Sequence, residues 1–262
     1  MNNVETHSIN LAVSGWPGSG ATSFALILSS LLKRKYMYIG DIFRYLGTEL
    51  GHSVTGKSQA EFDSYIESIV GKTVDMYVDH KLTTESNLLL ESDIAAFRIG
   101  RNPKIFSVFL RATYEERLRR VRVDGREGGE EYLKMRDDVL SAKYKELWDI
   151  DFHSEEMIAR KYNLVLDNSN MTIENELMKT IEALNEYHRF TGTFDLYTIH
   201  EIINAHVASF WEMGKQHFKD NLSRKGLYYK PQEILHEITQ EFPEDVVKFP
   251  VEVQNVFLGK KK

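Results

Sequence analysis

The chain has 262 residues, 42 % of them apolar and 27 % charged, a composition able to bury a core. It has no cysteine, which excludes disulfides and thiolate metal sites, and its formal charge of −6 argues against a general binder of phosphate backbones. No apolar run approaches the ~18 residues of a membrane span, and residues 1–8 are polar, so neither membrane segment nor secretory signal is expected and a cytoplasmic protein is the default.

The first apolar run, Ile9 to Val13, reads as a buried strand. It leads into Gly15-Trp16-Pro17-Gly18-Ser19-Gly20-Ala21-Thr22-Ser23, after which Thr22 to Leu32 is amphipathic and helical. Strand, glycine-rich turn and helix together make a phosphate-cradling loop, because glycines let backbone N–H groups turn inward and the helix N-terminus adds partial positive charge. Against the pattern G-x-x-x-x-G-K-[S/T], the chain matches at Gly15, Gly20 and Thr22, with Ala21 in place of the lysine. Lys33-Arg34-Lys35 suits the dipole at the end of that helix.

Tyr36 to Ile39 reads as a second strand, followed by a helix from Asp41, its expected N-cap, to about Leu50. Residues 51–56 are a polar loop. Helical spacing over 59–82 indicates one or two helices, with an interruption expected near Gly71. Asn87 to Glu91 and Lys104 to Leu110 are continuous apolar runs of the kind found in buried parallel strands. A helix over 113–121 starts with the capping box Thr113/Glu116, a charged connector occupies 124–129, and Glu130 to Trp148 is a long polar helix. Tyr162 to Leu166 is a last strand and Thr172 to Tyr187 a helix capped by Thr172. Strands alternate with helices, which predicts an α/β fold with a parallel sheet covered on both faces.

The character changes after Thr191-Gly192-Thr193. Residues 197–218 are aromatic-rich and helical, with an apolar stripe of Ile199, Ile202, Ile203, Val207, Phe210 and Trp211, and Pro231 starts a further helix. The expected division is a domain over 1–190 and a helical extension over 191–262. The stripe suits either a partner or self-association through 195–218, or packing back on the domain.

Several ordered segments carry a family resemblance: Gly15–Ser23; Gly40-Asp41-Ile42-Phe43-Arg44; Asp75-Met76-Tyr77-Val78-Asp79; Leu88-Leu89-Leu90-Glu91; the arginine-dense 113–126; Met135-Arg136 with Ser141–Asp151; and Asn163–Ser169. In that order and spacing the chain resembles the P-loop nucleoside monophosphate kinases, in their cytidylate-kinase-like branch. The resemblance implies a P-loop three-layer fold and phosphoryl transfer from ATP, with Mg²⁺, to a small nucleotide such as CMP. Gly15, Gly18, Ser19, Gly20, Ala21, Thr22 and Ser23 would wrap the donor phosphates, with Thr22 as the magnesium ligand. Asp41, Arg44, Asp79 and Glu91 would serve the acceptor. A lid near 123–131 would bring Arg122, Arg126, Arg136 and Lys143 to the transferring group.

Bland readings stand beside each. Asp41 and Arg44 can be a cap and a surface cation, Asp75 and Asp79 a solvated face, and the arginines a basic helix paired with neighbouring glutamates. The arginines between 111 and 126 also suggest nucleic-acid binding, which the net charge disfavours. Two residues depart from the family pattern. Ala21 removes the loop cation, which puts ATP and Mg²⁺ binding in question. Ser92-Asp93 replaces the usual glycine and arginine after Glu91, so Asp93 either turns away from the acceptor or the acceptor differs. Both departures keep open a second possibility, a degenerate relative acting as a binding or scaffolding module.

Overall fold

The protein is described by a computed structural model covering residues 9–50, 57–125, 128–187 and 195–260. Five strands form one sheet: β1 (Asn10–Gly15), β2 (Lys35–Tyr38), β3 (Leu88–Glu91), β4 (Ile105–Arg111) and β5 (Leu164–Asp167). Their order is β2-β3-β1-β4-β5 and every pairing is parallel. All five strands therefore end on one edge, where open α/β sheets place their ligands.

The strands form where apolar runs coincide with period-two alternation. Ala12, Leu88, Leu90 and Phe109 face one core, and Leu11, Val13, Leu89 and Val108 face the other. Helix α1 (Ala21–Leu32) covers the second face together with α7 (Ile173–Glu186). Helices α2 (Ile39–Glu49) and α3 (Lys57–Thr84) cover the first. Between β4 and β5 lie α4 (Tyr114–Val123), α5 (Gly129–Trp148) and a short α6 (Glu155–Lys161).

The remaining helices are α8 (Leu196–Arg224), α9 (Pro231–Glu241), α10 (Pro243–Val246) and α11 (Val251–Phe257). They divide between the two cores. Ile199, Ile203, Val207 and Phe210 of α8 are buried with α1 and α7, whereas Ile234, Leu235, Val253 and Phe257 join the core over α2 and α3. Between these halves the chain runs along β2: Tyr36 N–H donates to Leu227 O at 3.0 Å and Tyr229 N–H to Tyr36 O at 2.9 Å. The edge of the sheet is thereby covered. The apolar stripe thus packs on the domain, except that Ile202 and Trp211 are exposed.

Other expectations need correction. Arg34, expected to suit the dipole at the end of α1, is instead fully buried and donates to Ile9 O; burial pulls its pKa down to about 10. Helix α2 starts at Ile39, so Asp41 stands in its first turn and Tyr38 is the N-cap. Gly71 does not interrupt α3, which runs from Lys57 to Thr84. The loop expected at 51–56, part of the lid (126–127) and the boundary at 191–193 lie outside the described residues.

Candidate functional site

The turn after β1 is built around close backbone approaches. A Cβ on Gly15 would lie 2.4 Å from Ser19 Oγ and 2.8 Å from Leu110 O, so only glycine fits there. Gly18 and Gly20 have φ of +79° and +91°, the left-handed region that other residues enter at a cost of ~1–2 kcal/mol. Gly20 caps α1, whose first N–H groups consequently point towards the edge where the strands end.

The loop is held from outside by its neighbours. Arg117 donates to Pro17 O at 3.0 Å and makes a bidentate pair with Asp137 at 2.9 and 2.8 Å. Arg120 Nη1 donates to Ser19 O at 2.8 Å, and the buried Asn168 amide donates to the same carbonyl at 2.8 Å. Asn168 also donates to Glu176, whose carboxyl burial pushes up to about 7. These two arginines of the dense segment therefore serve the loop backbone, while Arg119 pairs with Glu116 at 2.7 Å and Arg122 with Glu130 at 3.7 Å.

Beneath the loop, the Thr22 hydroxyl donates to Glu91 Oε1 at 2.6 Å, and the Tyr36 hydroxyl donates to Glu91 Oε2. Burial raises the Glu91 carboxyl to about 7 against the pull of both donors. Thr22 and Glu91 together offer adjacent hard oxygen ligands. That suits Mg²⁺, which takes one or two protein oxygens and completes its shell with phosphate and water. Among the described residues no group of three or more His, Cys, Asp or Glu could hold a metal ion.

A cavity of about 500 Å³ opens over this edge. It is lined by Gly15–Ser23, by Tyr38, Arg44, Glu91 and Asp93 on one side, and by Arg119, Arg120, Tyr132 and Arg136 from α4 and α5 on the other. Met171, Thr172 and Ile173 close one end, and Trp211 and Lys215 of α8 complete the wall.

The structure thus brings the whole loop together with Arg44, Glu91 and Arg136. Asp41, Asp79 and Lys143 do not line the cavity. Asp41 accepts from Arg44 at 2.9 Å and from both Lys219 and the Tyr228 hydroxyl at 2.5 Å, tying Arg44 to the extension. Asp79 pairs with Arg98, which stacks on Trp148 at 3.8 Å; the neighbouring Asp75 accepts from Trp148 Nε1 at 2.9 Å. These groups brace α3 against α5. Lys143 is held 3.1 Å from the buried Glu67, which also lies 3.9 Å from Arg136. Arg126 lies outside the described residues.

Asp93 does not turn away. It lines the cavity, 3.8 Å from Arg136, and accepts from the Tyr144 hydroxyl at 3.2 Å. Burial shifts its carboxyl upward, opposed by Arg136, so its charge is both paired and weakened. Sequence reasoning missed Tyr38, Trp211, Lys215, Lys219 and Tyr228. Tyr38 had a local signal, its place at the end of β2. The other four lie in the extension, and only folding brings them to the site.

No protein-family model matches the chain. It is 30 % identical over 189 residues to a protein named cytidylate kinase from Methanococcoides burtonii, covering 68 % of this chain and 99 % of that one. It is 29 % identical over 181 residues to a cytidylate kinase from Pyrobaculum neutrophilum, covering 66 % and 91 %. Among solved structures, a shikimate kinase from Acinetobacter baumannii in complex with shikimate covers 69 % of this chain and 95 % of its own, with a TM-score of 0.45 and 16 % identity. Nearly the full length of the first relative is matched, on a parallel sheet with a glycine loop after its first strand. The chain belongs to the cytidylate kinase family of P-loop nucleoside monophosphate kinases.

Proposed function

We propose that the protein binds nucleotides in this cavity and transfers a phosphoryl group from ATP to a nucleoside monophosphate such as CMP. The observation that carries the reading is the joining of the glycine loop, Arg44, Glu91 and Arg136 around one cavity in a chain of this family. The loop N–H groups and α1 would receive the donor phosphates. Arg44, a planar guanidinium oriented by Asp41 and by Tyr38 OH at 3.1 Å, would hold the acceptor phosphate. Arg136, with its charge partly balanced by Asp93 and Glu67, would stand nearest the charge that develops in transfer. Five cations line the cavity against six carboxylic acids, which favours ATP as its magnesium complex over the bare anion. Mg²⁺, held by Thr22 and Glu91, would neutralise phosphate charge during transfer.

The direct test is a coupled assay of the full chain with Mg-ATP and CMP, dCMP, UMP or AMP. Turnover on CMP is expected, and absence of turnover on every acceptor by folded protein would sink the transfer reading.

A second reading, a nucleotide-binding relative without turnover that serves as a binding or scaffolding module, is favoured by one observation. The loop carries Ala21 where its cation belongs, and removing a single donor from such a site costs about 10²–10³ in rate. Calorimetry separates the two: binding of Mg-ATP without turnover supports the second, and binding with turnover the first.

A further inference from the structure

We propose that Lys215, from the helical extension, supplies the cation that the loop lacks at Ala21. The inference rests on the nucleotide reading above and assigns the extension a part in the donor site. Ala21 is the first residue of α1 and lines the cavity, so the missing charge belongs to the same cavity that Lys215 lines. Lys215 is the lysine among the described residues lining that cavity, and a compact ammonium on a flexible stem is the group that P-loops use against terminal phosphates.

Two anchors set its position. On one side, Ile203, Val207 and Phe210 are buried against α1 and α7, which fixes the register of α8 relative to the loop. On the other, Lys219, one turn further on, is held at 2.5 Å to Asp41 on the acceptor side. Between them the helix breaks at Gly214, with φ +73° and ψ 158°, where a Cβ would meet nothing within 4 Å. Crowding does not force that break. Its effect is to redirect the chain so that one stretch can pack on α1 and the next reach across to Asp41, leaving Lys215 at the bend over the cavity. Lys215 itself is exposed to solvent, so its stem can follow a ligand.

The test is calorimetric binding of Mg-ATP, Mg-ADP and AMP to the full chain, comparing wild type with Lys215→Met, Lys215→Arg and the double variant Ala21→Lys/Lys215→Met. Lys215→Met is expected to weaken Mg-ATP about tenfold or more while changing AMP about twofold or less, because AMP lacks the terminal phosphates. Lys215→Arg should retain part of the affinity, and Ala21→Lys should restore it in the double variant. Wild-type-like Mg-ATP binding by Lys215→Met would overturn the inference, as would an equal loss for Mg-ATP and AMP. If wild type binds no Mg-ATP, the nucleotide reading fails and the inference with it; wild-type binding with an unaffected variant removes the inference alone.

Discussion

Thr22 and Glu91, 69 residues apart in sequence, meet through a 2.6 Å hydrogen bond that joins the phosphate loop to the end of β3. The pairing makes the site sensitive to pH. Glu91 is buried, and its carboxyl is pushed from 4.5 to about 7. Between these values the folded state binds more protons than the unfolded chain, so stability is fully present below about pH 4.5 and is lost as pH rises through about 7. For this one group the loss approaches about 3 kcal/mol. Glu91→Gln should flatten the decline in denaturant unfolding measured from pH 4.5 to 8, and an unchanged slope would show that Glu91 is ionised throughout. An ion that ligates the carboxylate must displace that proton, so Mg-ATP affinity should rise across the same interval.

Arg136 separates function from stability. Its loss leaves Glu67 with Lys143 at 3.1 Å and Asp93 with the Tyr144 hydroxyl at 3.2 Å, so both acids keep a partner and the fold should persist. Arg136→Met is expected to lower kcat by about 10²–10³ with little change in melting temperature. A variant with wild-type turnover would exclude Arg136 from the transferring group.

Phe210 should reveal how far the domain depends on its extension. It is 1 % exposed, packed with Phe218 at 5.3 Å between ring centres, and belongs to the same core as α1. Phe210→Ala is expected to cost about 3–5 kcal/mol in a single cooperative unfolding transition. Two transitions, with only one displaced, would show that α8 unfolds independently of the sheet.

Lys219 and Asp41 test the link from extension to acceptor side. Both are nearly buried, at 11 % and 12 % side-chain exposure. Lys219→Met should cost about 2 kcal/mol, since a hydrogen bond to a charged group is lost while Arg44 and Tyr228 remain on Asp41. A double-mutant cycle with Asp41→Asn should give a coupling energy of similar size, and additivity would mean the contact contributes nothing measurable. In both single variants the KM for the monophosphate should rise more than the KM for ATP, because Arg44 is the group left less firmly placed.

The α/β class was legible because each strand is a short apolar run bounded by turn residues, and the loop because its glycines lie close together in sequence. Gly15, Gly18 and Gly20 announce a turn whose geometry is decided within a few residues. Glu91 was recognisable as the acid ending a buried strand. Asp79 and Lys143 fit the family pattern equally well, yet neither lines the cavity. A helical spacing places a residue on a face; which neighbour that face meets depends on α5 and on Arg98, distant in sequence.

The sequence by itself therefore determined the order of the elements, the phosphate-type turn and the absence of its lysine, since each is a property of neighbouring residues. Only the tertiary structure decided how the charges are shared. It set Arg117 and Arg120 on the loop carbonyls, Asp93 beside Arg136, and Lys215 and Lys219 of the extension over an edge nearly two hundred residues away in sequence. The physical reason is that an ion pair depends on a few ångströms of separation, and long-range packing sets that separation. The apolar faces of α8 and α9 pack on opposite sides of the sheet, and the segment that joins them is thereby drawn along β2 at the edge of the sheet.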